Sequence, residues 1–184
     1  IAVPENLCVR LPEGANLKQA AYNTRGAIAL QGIRQADLRL GESCAVIGLG
    51  LIGQLTCLIL RAGGIQTLGI DVNPSIVEVA RRNCCDTAWP RDHAGIVDDI
   101  VLRTGGLGVD AVIITAGTSS LDPVNFAGEI ARKKGRVIVV GAVPTGFDRE
   151  PHYYRKELEL RMSCSYGPGR YDLNYEEKGI DYPA

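Results

Sequence analysis

The sequence predicts an α/β fold, a doubly wound parallel sheet with helices on both faces. Three observations predict it. Four short segments, "CAVIG" (44–48), "TLGID" (67–71), "DAVIIT" (110–115) and "RVIVVG" (136–141), are β-branched and apolar almost throughout. That is how strands buried on both faces of a parallel sheet read. Stretches of helical period separate them, and such alternation implies right-handed crossovers. Where the first strand meets its helix, "AVIGLGLIGQL" (45–55) places glycines at 48, 50 and 53.

Taken in order, residues 16–36 read as one Ala-rich helix, and "DLRLGE" (37–42) turns the chain into the first strand. The span Ile52–Ala62 reads as a helix apolar on most sides. After the second strand, Asn73 is placed to cap a helix over Pro74–Asn83, with Pro74 at its first position. "GIVDDIVLRTGG" (95–106) repeats apolar residues at helical spacing and stops at glycines. "SSLDPVNFAGEIARKKG" (119–135) does the same and ends in basic residues, which suit a helix C-terminus. "LELRMSCS" (158–165) predicts a last strand, and residues 167–184, rich in Gly, Tyr and Pro, read as an irregular tail.

At 184 residues, the expectation is a single domain large enough for its own core. Hydrophobic residues make up 46% and charged residues 22%, as in ordinary globular proteins. A net charge of −1 gives no electrostatic case for nucleic acid or an anionic membrane surface. No apolar run approaches the ~18 residues of a membrane helix, and the first residues lack the basic and apolar regions of a signal peptide. The expected compartment is therefore the cytoplasm. The chain opens on Ile1 rather than Met, so a piece cut from something longer is expected. Its six cysteines show no C-x-x-C spacing, which favours buried, reduced thiols over disulfides. The adjacent Cys84 and Cys85 suit either a redox pair or plain packing.

The glycine turn follows a predicted strand and opens a predicted helix, the context that a dinucleotide-binding turn requires. Gly48 permits the tight turn, Gly50 lets the backbone approach a pyrophosphate, and Gly53 allows close helix packing. The helix start, at Leu51 and Ile52, offers free N–H groups to the phosphates. Asp71 ends the next strand, 18 residues after Gly53, where a carboxylate accepts ribose hydroxyls and repels a 2′-phosphate. Val72 and Asn73 follow it, and "DVNPSIVEVA" holds no Arg or Lys. NAD is therefore the expected cofactor rather than NADP. "TAGTSS" (115–120) and "VGAVPTG" (140–146) place Ala116, Gly117, Gly141, Ala142 and Val143 at the same carboxyl edge, where small residues leave room for a ribose and a nicotinamide ring.

In this order the segments resemble the medium-chain dehydrogenase/reductases, the superfamily of zinc-type alcohol dehydrogenases. "VPENLCVRLPEGANLKQAA" (3–21) is similar to the family's connection out of its catalytic domain. "LRLGESCAVIGLGLIGQL" is similar to the entry into its cofactor domain, "GIDVNPSIVEVAR" to its ribose-binding strand and following helix, and "GVDAVIITAG" and "KKGRVIVVGAV" to its fourth and fifth strands. The ending "KELELRMSCSYGPGRYDLNYEEKGIDYP" (156–183) resembles a bacterial subgroup fused to a second, Gfo/Idh/MocA-type domain. The resemblance implies a six-stranded Rossmann domain that binds NAD(H) and presents it to a separate GroES-like catalytic domain. Only a connecting segment of that domain, at about residues 1–20, is present here. It also implies a small-molecule substrate, met through the missing domain, and pairing of the last strand with its copy in a homodimer.

Two family features are missing. The position matching a zinc ligand ahead of the glycine turn falls at about Asn23, with no Cys or His nearby, and the structural-zinc cluster of four cysteines is absent. His93 and His152 are the only histidines and stand far apart, so no metal is expected. A hydride transfer from an alcohol needs a proton acceptor. His152, Tyr153, Tyr154 and Lys156 are the candidates, and a solvated surface segment explains them better, so no catalytic residue is assigned. Two other classes share the glycine turn: a non-catalytic NAD(H)-sensing module, and an S-adenosylmethionine-dependent methyltransferase, which typically lacks the third glycine.

Overall fold

The computed structural model describes residues 2–181. Ile1 and residues 182–184, the outer ends of the expected connecting segment and of the irregular tail, lie outside the described residues. Six parallel strands form the sheet: β1 (Ser43–Ile47), β2 (Gln66–Asp71), β3 (Thr87–Pro90), β4 (Val109–Ile114), β5 (Ala131–Val139) and β6 (Glu159–Met162). Their order is β3-β2-β1-β4-β5-β6. The chain winds outward from β1 in one direction and then returns to β4 to wind in the other. This reversal leaves a crevice beyond the carboxyl ends of β1 and β4, where ligands of open α/β sheets bind.

Alternation along β1 shows why both faces are apolar. Ala45 and Ile47 enter one core with Ile70, Trp89, Ile100, Val112 and Phe126, while Cys44 and Val46 enter the other with Leu49, Cys57, Leu60, Val77 and Ile113. Strand side chains alternate between faces, so a strand covered on both sides has no polar position to reveal its period. The helices are α1 (Leu17–Ala20), α2 (Asn23–Ala36), α3 (Leu51–Ala62), α4 (Pro74–Asn83), α5 (Ile96–Arg103), α6 (Asp122–Ile130) and α7 (Leu173–Glu176). Among the described residues, no helix is long and apolar enough to cross a membrane.

The α4 boundaries and the Asn73 cap agree with the sequence; Asn73 Oδ1 accepts from the Ser75 N–H at 2.9 Å. Other elements differ for identifiable reasons. The single helix expected over residues 16–36 is two, α1 capped by Asn16 and then α2, separated by a turn at Ala21 and Tyr22. Strand β3 carried little signal because it has four residues, ends in Pro90 and lies at the sheet edge, the place where a strand tolerates proline. The tail contains α7, a single turn capped by Asp172.

Helix α6 stops at Ile130, and Arg132, Lys133 and Lys134 belong to the start of β5, not to a helix end. Its C-terminal cation comes from far along the chain. Lys156 Nζ donates to the carbonyls of Gly128, Glu129 and Ala131 at 3.0, 2.6 and 2.8 Å. An ammonium there satisfies carbonyls that a helix end leaves without partners and meets the negative end of the dipole.

Candidate functional site

The glycine turn runs from β1 into α3. Gly48 has φ of +96°, and a Cβ there would stand 2.6 Å from the Ala116 nitrogen. Gly53 is closed too, since its Cβ would meet the Gly48 oxygen at 1.9 Å. Both glycines are demanded by backbone packed against backbone. Gly50 is different: a Cβ there meets nothing within 4 Å. Its missing side chain therefore leaves an open approach to the backbone.

The start of α3 is bare. Gly50 is its N-cap and provides no side-chain cap, and the first hydrogen bond back to the turn is from Gln54 N–H to the Gly50 oxygen at 2.9 Å. The amides of Leu51, Ile52 and Gly53 precede that bond and are the donors a helix N-terminus offers to an anion. Thr115 Oγ1 pins the turn by donating to the Gly48 oxygen at 2.5 Å.

Asp71 is held by the same backbone. One carboxylate oxygen accepts from Leu49 N–H at 2.6 Å and the other from Asn73 N–H at 2.8 Å. Each ionised carboxylate oxygen has capacity for a further donor, so this grip orients the group without exhausting it. Across the crevice the two later strand ends are tied together. Thr118 N–H donates to the Ala142 oxygen at 2.9 Å, and a Cβ on Gly141 would meet the Ala116 oxygen at 2.0 Å.

A cleft of about 260 Å³ opens beside this edge, lined by Ile47, Gly48, Ile70, Asp71, Val72, Arg91, Ala116, Gly117, Thr118, Ser120, Asp122 and Pro123. Of the thirteen residues singled out in the sequence, it unites Gly48, Asp71, Val72, Ala116 and Gly117. Gly141, Ala142 and Val143 line a smaller apolar cavity of about 140 Å³ with Val124, Val139, Phe147, Leu160 and Met162. Gly50, Leu51, Ile52 and Gly53 form the turn and helix start rather than a wall, and the Asn73 side chain is occupied by its cap.

Arg91, Thr118, Ser120 and Asp122 are walls the sequence did not single out for the site. Thr118 and Ser120 lie within the "TAGTSS" segment, so proximity to Gly117 is the signal that could have found them. Arg91 directly follows β3, and without that strand its place was hidden. The cation absent from "DVNPSIVEVA" thus arrives from the neighbouring strand. Its guanidinium is engaged: Nε and Nη2 donate to the two Asp122 carboxylate oxygens at 2.9 and 2.7 Å, and Cζ lies 3.9 Å over the Phe126 ring.

None of the four candidate proton acceptors enters the cleft. Tyr153 is buried and donates to the Val124 oxygen at 2.8 Å, and burial pushes its phenol up. Lys156 caps α6; burial lowers its ammonium, partly offset by Glu129. Tyr154 is exposed beneath Arg149, and His152 lines a neighbouring surface hollow with Asp148 and Glu150, which shares only Arg91 and Asp122 with the cleft. The six cysteines are free thiols, as expected, but Cys8 and Cys164 are exposed rather than buried.

The family model for zinc-binding dehydrogenases matches residues 52–177. Two curated relatives are D-xylulose reductase A of Aspergillus oryzae and D-guloside 3-dehydrogenase of Escherichia coli. The first is 29% identical over 178 residues, 93% of this chain and 49% of the relative. The second is 29% identical over 164 residues, 85% of this chain and 46% of the relative. The solved alcohol dehydrogenase TADH from Thermus sp. ATN1 superimposes with a TM-score of 0.77 at 25% identity, over 86% of this chain and 46% of that one. The chain spans about half the length of the curated relatives it matches.

Proposed function

The chain belongs to the zinc-binding dehydrogenases, and on that premise we propose that it is the NAD(H)-binding domain of an oxidoreductase. Joined to its catalytic domain, that enzyme acts by hydride transfer on an alcohol, aldehyde or sugar-type substrate. The observation that carries this reading is the asymmetry of the turn. Gly48 and Gly53 are closed by backbone, Gly50 is open, and the bare α3 amides and the oriented Asp71 carboxylate flank it. A pyrophosphate fits over Gly50, and a ribose fits against Asp71.

The bound nicotinamide supplies the hydride chemistry. The chain's own residues hold and orient it. The α3 amides would compensate phosphate charge and Asp71 would accept from ribose hydroxyls. The small residues Ala116 and Gly117 of the cleft, and Gly141, Ala142 and Val143 of the adjoining cavity, would leave room for the ring at the same sheet edge. The choice of NAD over NADP is supported by Asp71, whose charge opposes a 2′-phosphate, and by the engagement of Arg91 with Asp122. A sugar or polyol substrate is supported by the names of the xylulose and guloside relatives.

The family's name implies zinc, and the residues beside this crevice do not fit it. Asn23 is exposed and belongs to α2. Among the described residues, the thiol, imidazole and carboxylate groups that assemble as a possible metal set are Cys57, Cys84 and Cys85, buried in the core.

The connecting-segment assignment is supported by the exposure of Val3, Leu7, Val9 and Leu17, apolar side chains that a further domain would cover. The likeness of residues 156–183 to the Gfo/Idh/MocA-fused subgroup adds a second domain to the proposed whole. β6 ends the sheet, and its outer edge is offered to a second copy in the proposed homodimer.

Calorimetric titration with NADH, in competition with S-adenosylmethionine, tests the reading. NADH is expected to bind with micromolar-range affinity and S-adenosylmethionine not to displace it. Displacement by S-adenosylmethionine, or no heat with NADH, overturns it.

A further inference from the structure

Cys57 and the adjacent pair Cys84 and Cys85, which lies far from it in the chain, converge in the core on the α3 and α4 side of the sheet. Cys57 lies in α3, Cys84 ends α4, and Cys85 precedes β3. Cys85 Sγ is 3.5 Å from Cys57 Sγ and 4.0 Å from Cys84 Sγ, and all three sulfurs lie within 4.8 Å of one another. Their exposures are 0% for Cys57, 0% for Cys84 and 4% for Cys85. The geometry points to a binding site for one thiophilic metal ion, held by three sulfurs and no other ligand. It is separate from the nicotinamide site and unlike the catalytic zinc position of the family.

Bond lengths support this. Sulfur sits about 2.3 Å from a zinc ion, so three sulfurs around one trigonal centre stand about 4.0 Å apart. Cys85 stands 3.5 and 4.0 Å from its two partners, and the third pair is within 4.8 Å. Ligand type sets the class of ion. A set of thiols with no oxygen or imidazole selects soft metals, Cu(I) and Zn(II) among the physiological ones, against Mg or Ca. On binding, each sulfur–metal bond replaces an S–H bond, and the protons pass to solvent.

The position suggests what the ion would do. A Cβ on Gly69 would meet Cys85 Sγ at 2.6 Å and both Leu49 methyl carbons at 3.1 Å, so the cluster packs beneath the glycine turn. An ion there ties α3, the end of α4 and the approach to β3 into one unit under the cofactor edge. In the sequence only the adjacent pair Cys84 and Cys85 is visible, because the third sulfur, Cys57, comes from a separate helix.

The test uses the chain with Cys8→Ser and Cys164→Ser, which removes the two exposed thiols. It is incubated with Zn²⁺ and, separately and without oxygen, with Cu⁺, then desalted. Bound metal is counted by mass spectrometry, and sulfur neighbours by X-ray absorption. One ion per chain with three sulfur neighbours is expected for at least one metal, together with a raised melting temperature. Adding Cys57→Ser is expected to weaken retention at least tenfold. Retention of neither metal, a sulfur count below three, or retention unchanged by Cys57→Ser overturns the proposal. Should Cys57→Ser not fold, the sulfur count on the parent protein decides alone.

Discussion

Asp71 uses its carboxylate on two backbone N–H groups before any ligand arrives, and that use fixes where its remaining lone pairs point. Asp71→Ala is expected to weaken NADH binding by about 1–2 kcal/mol, the order of a hydrogen bond to a charged group. Calorimetry on wild type and variant checks it, and equal affinities would remove Asp71 from the ribose role. Arg91 makes the complementary case. It stands in the wall of the same cleft, and Asp122 holds both prongs of its fork. Asp122→Ala frees a guanidinium for a 2′-phosphate, so the NADPH-to-NADH affinity ratio is expected to rise about tenfold, equivalent to about 1.4 kcal/mol. A ratio that stays flat would show that Arg91 does not reach the adenosine ribose.

At the scale of elements, Asp110 joins three strands at the end of the sheet away from the cleft. It accepts from Ser43 N–H and Oγ at 2.8 and 2.9 Å and from Arg132 Nε at 2.6 Å, linking the starts of β1, β4 and β5. Burial raises its pKa, but the Ser43 and Arg132 hydrogen bonds outweigh burial and hold the carboxyl below its ordinary value. A carboxyl lowered on folding contributes stability above its unfolded value, about 3.9. That contribution is lost as pH falls through the lower folded value. Urea unfolding is therefore expected to show Asp110→Asn less stable than wild type at neutral pH, with the gap closing on the acid side. A gap constant with pH would show that the charge is not what joins the strands. Elements also show what the sequence could announce. The α4 boundaries were legible because Asn73 and Pro74 are adjacent, local signals. The end of α6 was not, because its capping cation, Lys156, is a tertiary partner.

For the whole molecule, the sheet order leaves β3 and β6 as edges. β6 is short, and Met162 on it is 58% exposed, so pairing with a second copy would extend the sheet and cover apolar surface. Sedimentation equilibrium is expected to give a mass about twice 19.7 kDa, reduced towards a single chain by Met162→Asp. One species of 19.7 kDa for wild type would rule out the β6 pairing.

The sequence by itself determined the doubly wound core, the glycine turn and the acid that ends β2. Those features rest on local physics: a positive φ at Gly48, strands apolar on both faces, and caps one residue from the helix they start. Only the tertiary structure decided that Arg91 and Asp122 stand beside Asp71, that Gly141, Ala142 and Val143 line a cavity apart from the main cleft, and that Cys57, Cys84 and Cys85 meet. These groupings depend on which strands become neighbours, and sheet order places side chains from separate strands and helices within bonding distance of one another. Periodicity records which face a residue takes, and the crossovers decide what it meets there.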